Sequence, residues 1–157
     1  MLNKTTQNWM KQNGFDAQDI NARGAYDDTA LICASRKGEE DVVIDLLENG
    51  AAINLRNMDG TNALWSACVA NNYVIADLLI ELGIDIDNQN DNGATVLMYA
   101  ASSGRTEWVK YLLEKGADFS LLSLDGYSAM ELSDNIATLR LLKSATRSRV
   151  VEALSQQ

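Results

Sequence analysis

The sequence predicts an all-α solenoid: pairs of helices stacked in series, joined by short hairpin or turn fingers and capped by a helix at each end. Three observations carry this reading. The chain repeats every 33 residues, so that Met58-Asp59-Gly60 recurs as Asp91-Asn92-Gly93, and Asn21-Ala22-Arg23 as Asn54-Leu55-Arg56. Thr29, Asn62, Thr95 and Ser128 stand in phase with that period, each just before an apolar run, where a helix N-cap belongs. Gly50, Gly83 and Gly116 close the second apolar run of each unit, where a helix end favours a left-handed residue. A fixed period of this length marks units that cannot bury their own apolar faces and must stack.

The elements follow in order. Residues 1–20 form an N-terminal cap, with one helix over residues 5 to 13 that brings Trp9 and Met10 over the first repeat. Covering that repeat is the preferred role of Trp9; anchoring a partner is the alternative. Full units span 21–53, 54–86 and 87–119. Their first helices bury Leu31 and Ala34, Leu64 and Ala67, Leu97 and Ala100, the alanines keeping one face thin so that neighbours approach. The second helices bury Val42, Val43, Leu46 and Leu47, then Ile75, Leu78, Leu79 and Ile80, at the spacing of one helical face. Glu39-Glu40-Asp41 complement the dipole at the start of such a helix. Polar stretches such as residues 87–93 supply the fingers. A fourth unit, 120–144, is shortened by a turn, since Ile136, Leu139, Leu141 and Leu142 arrive early for the period. Residues 145–157 make a last amphipathic helix striped by Val150, Val151 and Leu154. Terminal units differ because one of their faces meets water.

Composition narrows the function classes. A chain of 157 residues, 46% hydrophobic and 22% charged, builds a core and stays dissolved as one domain. It has neither a membrane-length apolar run nor an apolar leader, so a cytoplasmic protein is expected. Cys33 and Cys68 occupy non-identical places in successive units, which fits free thiols in a reducing compartment. There is no histidine, hence no Ser-His or Cys-His pair, and no Gly-rich phosphate loop. The run Asp85–Asp91 looks briefly like a calcium loop, but Asn90 and Val96 stand where Gly and Glu are needed. No catalytic, metal or cofactor site is expected. The net charge of −9 argues against nucleic acid.

Motifs sharpen the class. Gly60-Thr61-Asn62-Ala63-Leu64-Trp65-Ser66-Ala67 and Gly93-Ala94-Thr95-Val96-Leu97-Met98-Tyr99-Ala100 share one pattern with Asp27–Ala34 and, more weakly, Gly126–Ser133. Val42-Val43-Ile44-Asp45-Leu46-Leu47-Glu48-Asn49-Gly50-Ala51 supplies a second pattern, repeated at Trp108–Asp118. Over about residues 17 to 144 the chain resembles the ankyrin repeat family. It departs from the family pattern in lacking every proline and histidine: Ala30, Ala63, Val96 and Ala129 take the proline place, and Ile32, Trp65, Met98 and Glu131 the histidine place. Trp65 is therefore read as part of an apolar seam.

The resemblance implies a protein that binds another protein through fingertips and first helices on a concave face. Carried over unit by unit, the partner-binding candidates are Arg23, Tyr26, Arg36, Arg56, Met58, Asp59, Val69, Asp91, Asn92 and Tyr127. Asp28 and Lys37 sit beside them in the first unit. Leu122 and Leu124 have two readings, packing beneath the C-terminal helix or joining an exposed apolar strip. The expected role is an adaptor, scaffold, assembly factor or chaperone, monomeric when free. The alternative is an acidic inhibitor or immunity-type protein that masks a basic site, because no Lys or Arg lies between Arg56 and Arg105 while six acids do. The sign inverts at Arg140, Lys143, Arg147 and Arg149. No membrane partner is expected.

Overall fold

A computed structural model describes all residues, 1–157. It contains eight α-helices and no strand, as an all-α stack requires. The contacts divide the chain into two compact units, residues 1–91 and 92–157, where the sequence suggested one continuous domain.

In residues 1–91, α1 (Lys4–Gln12) packs on α3 (Glu40–Glu48), α2 (Ala30–Lys37) on α3 and α4 (Ala63–Val69), and α4 on α5 (Tyr73–Glu81), which also meets α3. Leu31, Ala34, Val43, Leu46, Leu64, Ala67, Ile75 and Leu79 form the buried core. The caps are where the apolar pattern put them. Thr29 accepts from the Ile32 amide at 3.2 Å, and Asn62 accepts from the amides of Leu64 and Trp65. Asn72 caps α5 at 2.9 Å, a role no phase signal announced. Met10 is buried, and Trp9 stacks on Phe15 with ring centroids 6.2 Å apart, so α1 closes this unit as a cap. Trp65 is half-buried beside fully buried neighbours.

In residues 92–157, α6 (Val96–Ser102) packs on α7 (Thr106–Glu114), and α7 on α8 (Ile136–Ser155). Leu97, Val109, Leu112 and Leu142 are buried. Two features differ from the sequence reading. The fourth unit keeps only one turn of its first helix: Ser128 and Glu131 cap each other reciprocally and the Leu132 amide reaches the Ser128 carbonyl, but no helix follows. Helix restarts at Asn135, whose side chain accepts from Thr138. The boundary expected at residue 144/145 does not exist, because α8 runs unbroken through it. Ser144-Ala145-Thr146 contains no glycine or proline to break the helix, and the Thr146 hydroxyl bonds back to the Leu142 carbonyl inside it.

Gly50, Gly83 and Gly116 adopt φ of +86°, +85° and +90°, and a Cβ on any of them would meet no atom within 4 Å. Their identity is set by backbone conformation alone.

Candidate functional site

The fingers are turns whose backbone is satisfied from within. In the second finger the Asn57 amide bonds to the Thr61 carbonyl at 3.0 Å. The Asn57 side-chain oxygen accepts from the amides of Asp59 and Thr61 and from the Thr61 hydroxyl. The side chain supplies what a strand ladder would have supplied, so only one isolated bridge, Arg23 to Thr29, has β character. Fingers join one another by backbone bonds 32 residues apart. The Met58 amide donates to the Tyr26 carbonyl and the Asp91 amide to the Asp59 carbonyl, each at 3.0 Å. In residues 92–157 the Leu124 amide reaches the Asn92 carbonyl at the same distance. A Cβ on Gly60 would come within 2.9 Å of the Asp91 backbone nitrogen, so this close approach requires glycine.

The first finger breaks that rule. Its equivalent of Gly60, Gly93 and Gly126 is Asp27, and both Tyr26 and Asp27 sit at φ 58°. Non-glycine residues in this region are strained by about 1–2 kcal/mol. The turn lifts Tyr26 to 72% exposure, beside Met58 at 58% on the neighbouring fingertip. These are two large apolar side chains in the open on backbones that bond to each other, the Met58 amide donating to the Tyr26 carbonyl.

Three arginines expected to anchor a partner have partners inside the fold. Arg23 donates from Nη1 to the carbonyls of Asp27, at 2.8 Å, and Arg56, at 2.6 Å. Arg56, its equivalent 33 residues on, donates from Nε to the Gly60 carbonyl at 2.9 Å and from Nη2 to Asp91 at 3.5 Å. Both staple one finger to the next. Arg36 forks onto Asp28, with Nη1 to Oδ2 at 2.6 Å and Nη2 to Oδ1 at 3.1 Å. Asp28, grouped with the presented residues in sequence, is instead 3% exposed and also accepts from Asn57 Nδ2 at 3.0 Å. The hydrogen bond to Asp28 raises the Arg36 pKa, the direction in which a bound carboxylate holds the guanidinium charged.

The other candidates fall in both units. Asp59, Asp91 and Val69 are exposed in residues 1–91, Val69 at the end of α4. Asn92 and Tyr127 are exposed in residues 92–157. Leu122 and Leu124 are exposed too, Leu124 to 78%, so packing beneath α8 is not their arrangement. Sequence reasoning missed the asparagine staples: Asn21 accepts from the Ala52 amide at 2.9 Å, and Asn54 from the Asp85 amide at 2.8 Å. Their separation of 33 residues was the signal available. Charge is unevenly shared. Residues 1–91 carry six Lys and Arg against fifteen Asp and Glu, so the whole net charge of −9 sits there; residues 92–157 carry seven of each.

Helix pairs in register, joined by laddered turns that hold side chains out at fixed spacing, define a repeat protein that offers a surface. The ankyrin repeat pattern matches residues 26–58, and the pattern of three consecutive ankyrin repeats matches residues 53–123. The chain belongs to the ankyrin repeat family. Among similar proteins, the mouse ankyrin repeat and SAM domain-containing protein 6 is 42% identical over 81 residues, 51% of this chain and 9% of that protein. The ankyrin repeat and KH domain-containing protein mask-1 of Caenorhabditis elegans is 37% identical over 92 residues, 59% of this chain and 4% of that protein. The putative ankyrin repeat protein FPV014 of fowlpox virus is 33% identical over 110 residues, 69% of this chain and 24% of that protein. The chain thus spans less than a tenth of the length of the first two.

Proposed function

We propose that this chain is a non-enzymatic protein-binding module that captures a partner protein on the concave, fingertip side of residues 1–91, acting in the cytoplasm as an adaptor, assembly factor or chaperone. The observation that supports it is the Tyr26–Met58 pair, two exposed apolar side chains on adjacent fingertips whose backbones bond to each other. Such a platform loses little conformational entropy on binding, and exposed aromatic residues on rigid supports make good anchors. Asp59 and Asp91 flank the pair, with Asn92 next in the chain. Val69 extends the candidate surface within residues 1–91, and Tyr127 is a separate candidate in residues 92–157. Arg23, Arg36 and Arg56 hold the platform in shape.

A second reading draws on one further observation: the net negative charge is confined to residues 1–91. An acidic inhibitor that masks a basic site would use the same face, and its association would weaken steeply with salt. The test of both is affinity purification of the tagged protein beside a Tyr26→Ser/Met58→Ser variant that keeps a parent-like melting curve. Loss of the captured protein from the variant supports the site. Equal capture by both places binding elsewhere. Elution by salt alone selects the inhibitor reading.

A further inference from the structure

Beyond its second turn α8 buries no side chain. Its buried residues, Thr138 and Leu142, lie in its first two turns, and every residue from Arg147 onward is exposed. Helical segments of this length are marginal in water on their own. This one holds an apolar stripe in the open: Val150, Val151 and Leu154 are each more than half exposed. With Arg147 they occupy positions i, i+3, i+4 and i+7, the anchor spacing of a helix that lies on another surface. Around the stripe stand Arg140, Lys143, Arg147 and Arg149 against a single acid, Glu152. Arg149 is engaged, 3.6 Å from Asp118 and over the Phe119 ring. The end of α8 is therefore apolar and basic.

The complementary chemistry is present on residues 1–91 of the same sequence. Tyr26 and Met58 offer exposed apolar area, and the exposed acids Asp27, Asp59 and Asp91 stand on the same row of fingers, Asp27 3.7 Å from Arg23 and Asp91 3.5 Å from Arg56, while those arginines and Arg36 are bound to internal acceptors. We propose that the α8 segment Arg147–Leu154 of one copy docks on the fingertip row of residues 1–91 of a second copy. The apolar stripe covers Tyr26 and Met58, while Arg147 and Lys143 meet Asp59 and Asp91. The two faces are different, so the contact is heterologous and leaves a free face at each end of any pair. Its area is small, which makes the association weak and leaves the dilute protein monomeric. A second copy would compete with a partner for the fingertips, but the inference stands on charge and exposure and does not rest on that partner.

The experiment is sedimentation velocity of the full chain between about 5 and about 500 µM, a range that spans weak association. The average mass should climb above 17.2 kDa with concentration and return to it in about 0.5 M salt, where the Debye length is a few Å. Two variants, Tyr26→Ser/Met58→Ser and Val150→Ser/Leu154→Ser, each lose one face and should stay at 17.2 kDa alone. None of these four side chains is buried, so both variants should keep the parent's circular dichroism. Mixed together they should form a pair with one copy of each, because each retains the face the other lacks. A mass of 17.2 kDa for the parent at every concentration overturns the proposal. So does self-association of either variant, or a mixture that forms no pair.

Discussion

Replacing Arg36 with alanine separates a structural arginine from a partner anchor. In the fold its guanidinium holds Asp28 through bonds of 2.6 and 3.1 Å, and the only other donor to that carboxylate is Asn57 Nδ2 at 3.0 Å. Removal leaves a carboxylate that is 3% exposed with one neutral donor. Breaking a fully buried ion pair in this way costs about 3–5 kcal/mol. The Arg36 side chain is 41% exposed, however, so water enters where it stood and screens the charge. The cost therefore falls to about 2 kcal/mol. For a chain of this size that is a drop of about 4–8 °C in melting temperature. The assay is urea unfolding followed by circular dichroism, for the parent, Arg36→Ala, Asp28→Ala and the double variant. The double variant should unfold less easily than the summed single effects require, with a coupling of about 1–2 kcal/mol. If Arg36→Ala unfolds like the parent and yet fails to capture a partner, the arginine belongs to the binding surface and the reasoning is wrong.

Three further outcomes follow from the same geometry. Asp27→Gly should be more stable than Asp27→Ala by about 0.5–1 kcal/mol, because both lose the carboxylate and only glycine takes φ 58° without strain; equal unfolding midpoints would show that the first finger relaxes. Leu46→Ala, Leu79→Ala and Leu112→Ala, equivalent through the period and all fully buried, should each cost about 2–5 kcal/mol, and a parent-like denaturation curve for any of them would break the register. Burial raises the Cys33 pKa and leaves less thiolate, so at pH 8 iodoacetamide should label Cys33 in the native protein more slowly than in urea; equal rates would mean that its surroundings open freely.

Helix identity was legible because each unit repeats its signals. A cap, an alanine-thinned helix, a leucine stripe and a left-handed glycine recur in phase, and Thr29, Asn62, Thr95 and Gly50, Gly83, Gly116 all play the parts their places assign. The end of the chain was less legible because the period stops there. One sequence of twenty residues serves as a packed helix in its first half and as an exposed one from Arg147 on, and an apolar stripe alone does not distinguish the two. The candidate surface was legible by position but not by role. Tyr26 and Met58 are exposed as their finger places imply, whereas Arg23, Arg36 and Arg56 reach carbonyls and two carboxylates up to 35 residues away. Arginine fits such a fork as readily as it fits a partner, and only the distances separate the two uses.

The same distinction applies to the acidic residues. A net charge of −9 on residues 1–91 suggests a steering field, but many of those carboxylates are turn chemistry. Asp16, Asp19 and Asp85 each accept the amide two residues on, Asp45 accepts from Asn3, and Glu40 accepts from Asn72. Stacked turns favour Asp and Asn because their side chains bond local backbone, whatever the protein binds. Asp59 and Asp91 are exposed acids on the fingertip row that carries Tyr26 and Met58, Asp59 with no hydrogen bond or ion pair from its side chain and Asp91 with only the exposed contact of 3.5 Å to Arg56. Charge-driven association should therefore respond to Asp59→Asn with Asp91→Asn, whereas Asp16→Asn with Asp19→Asn, which removes the same charge, should leave it almost unchanged. Equal weakening by the two pairs would mean that the net charge acts as a whole and that the fingertips hold no special place in it.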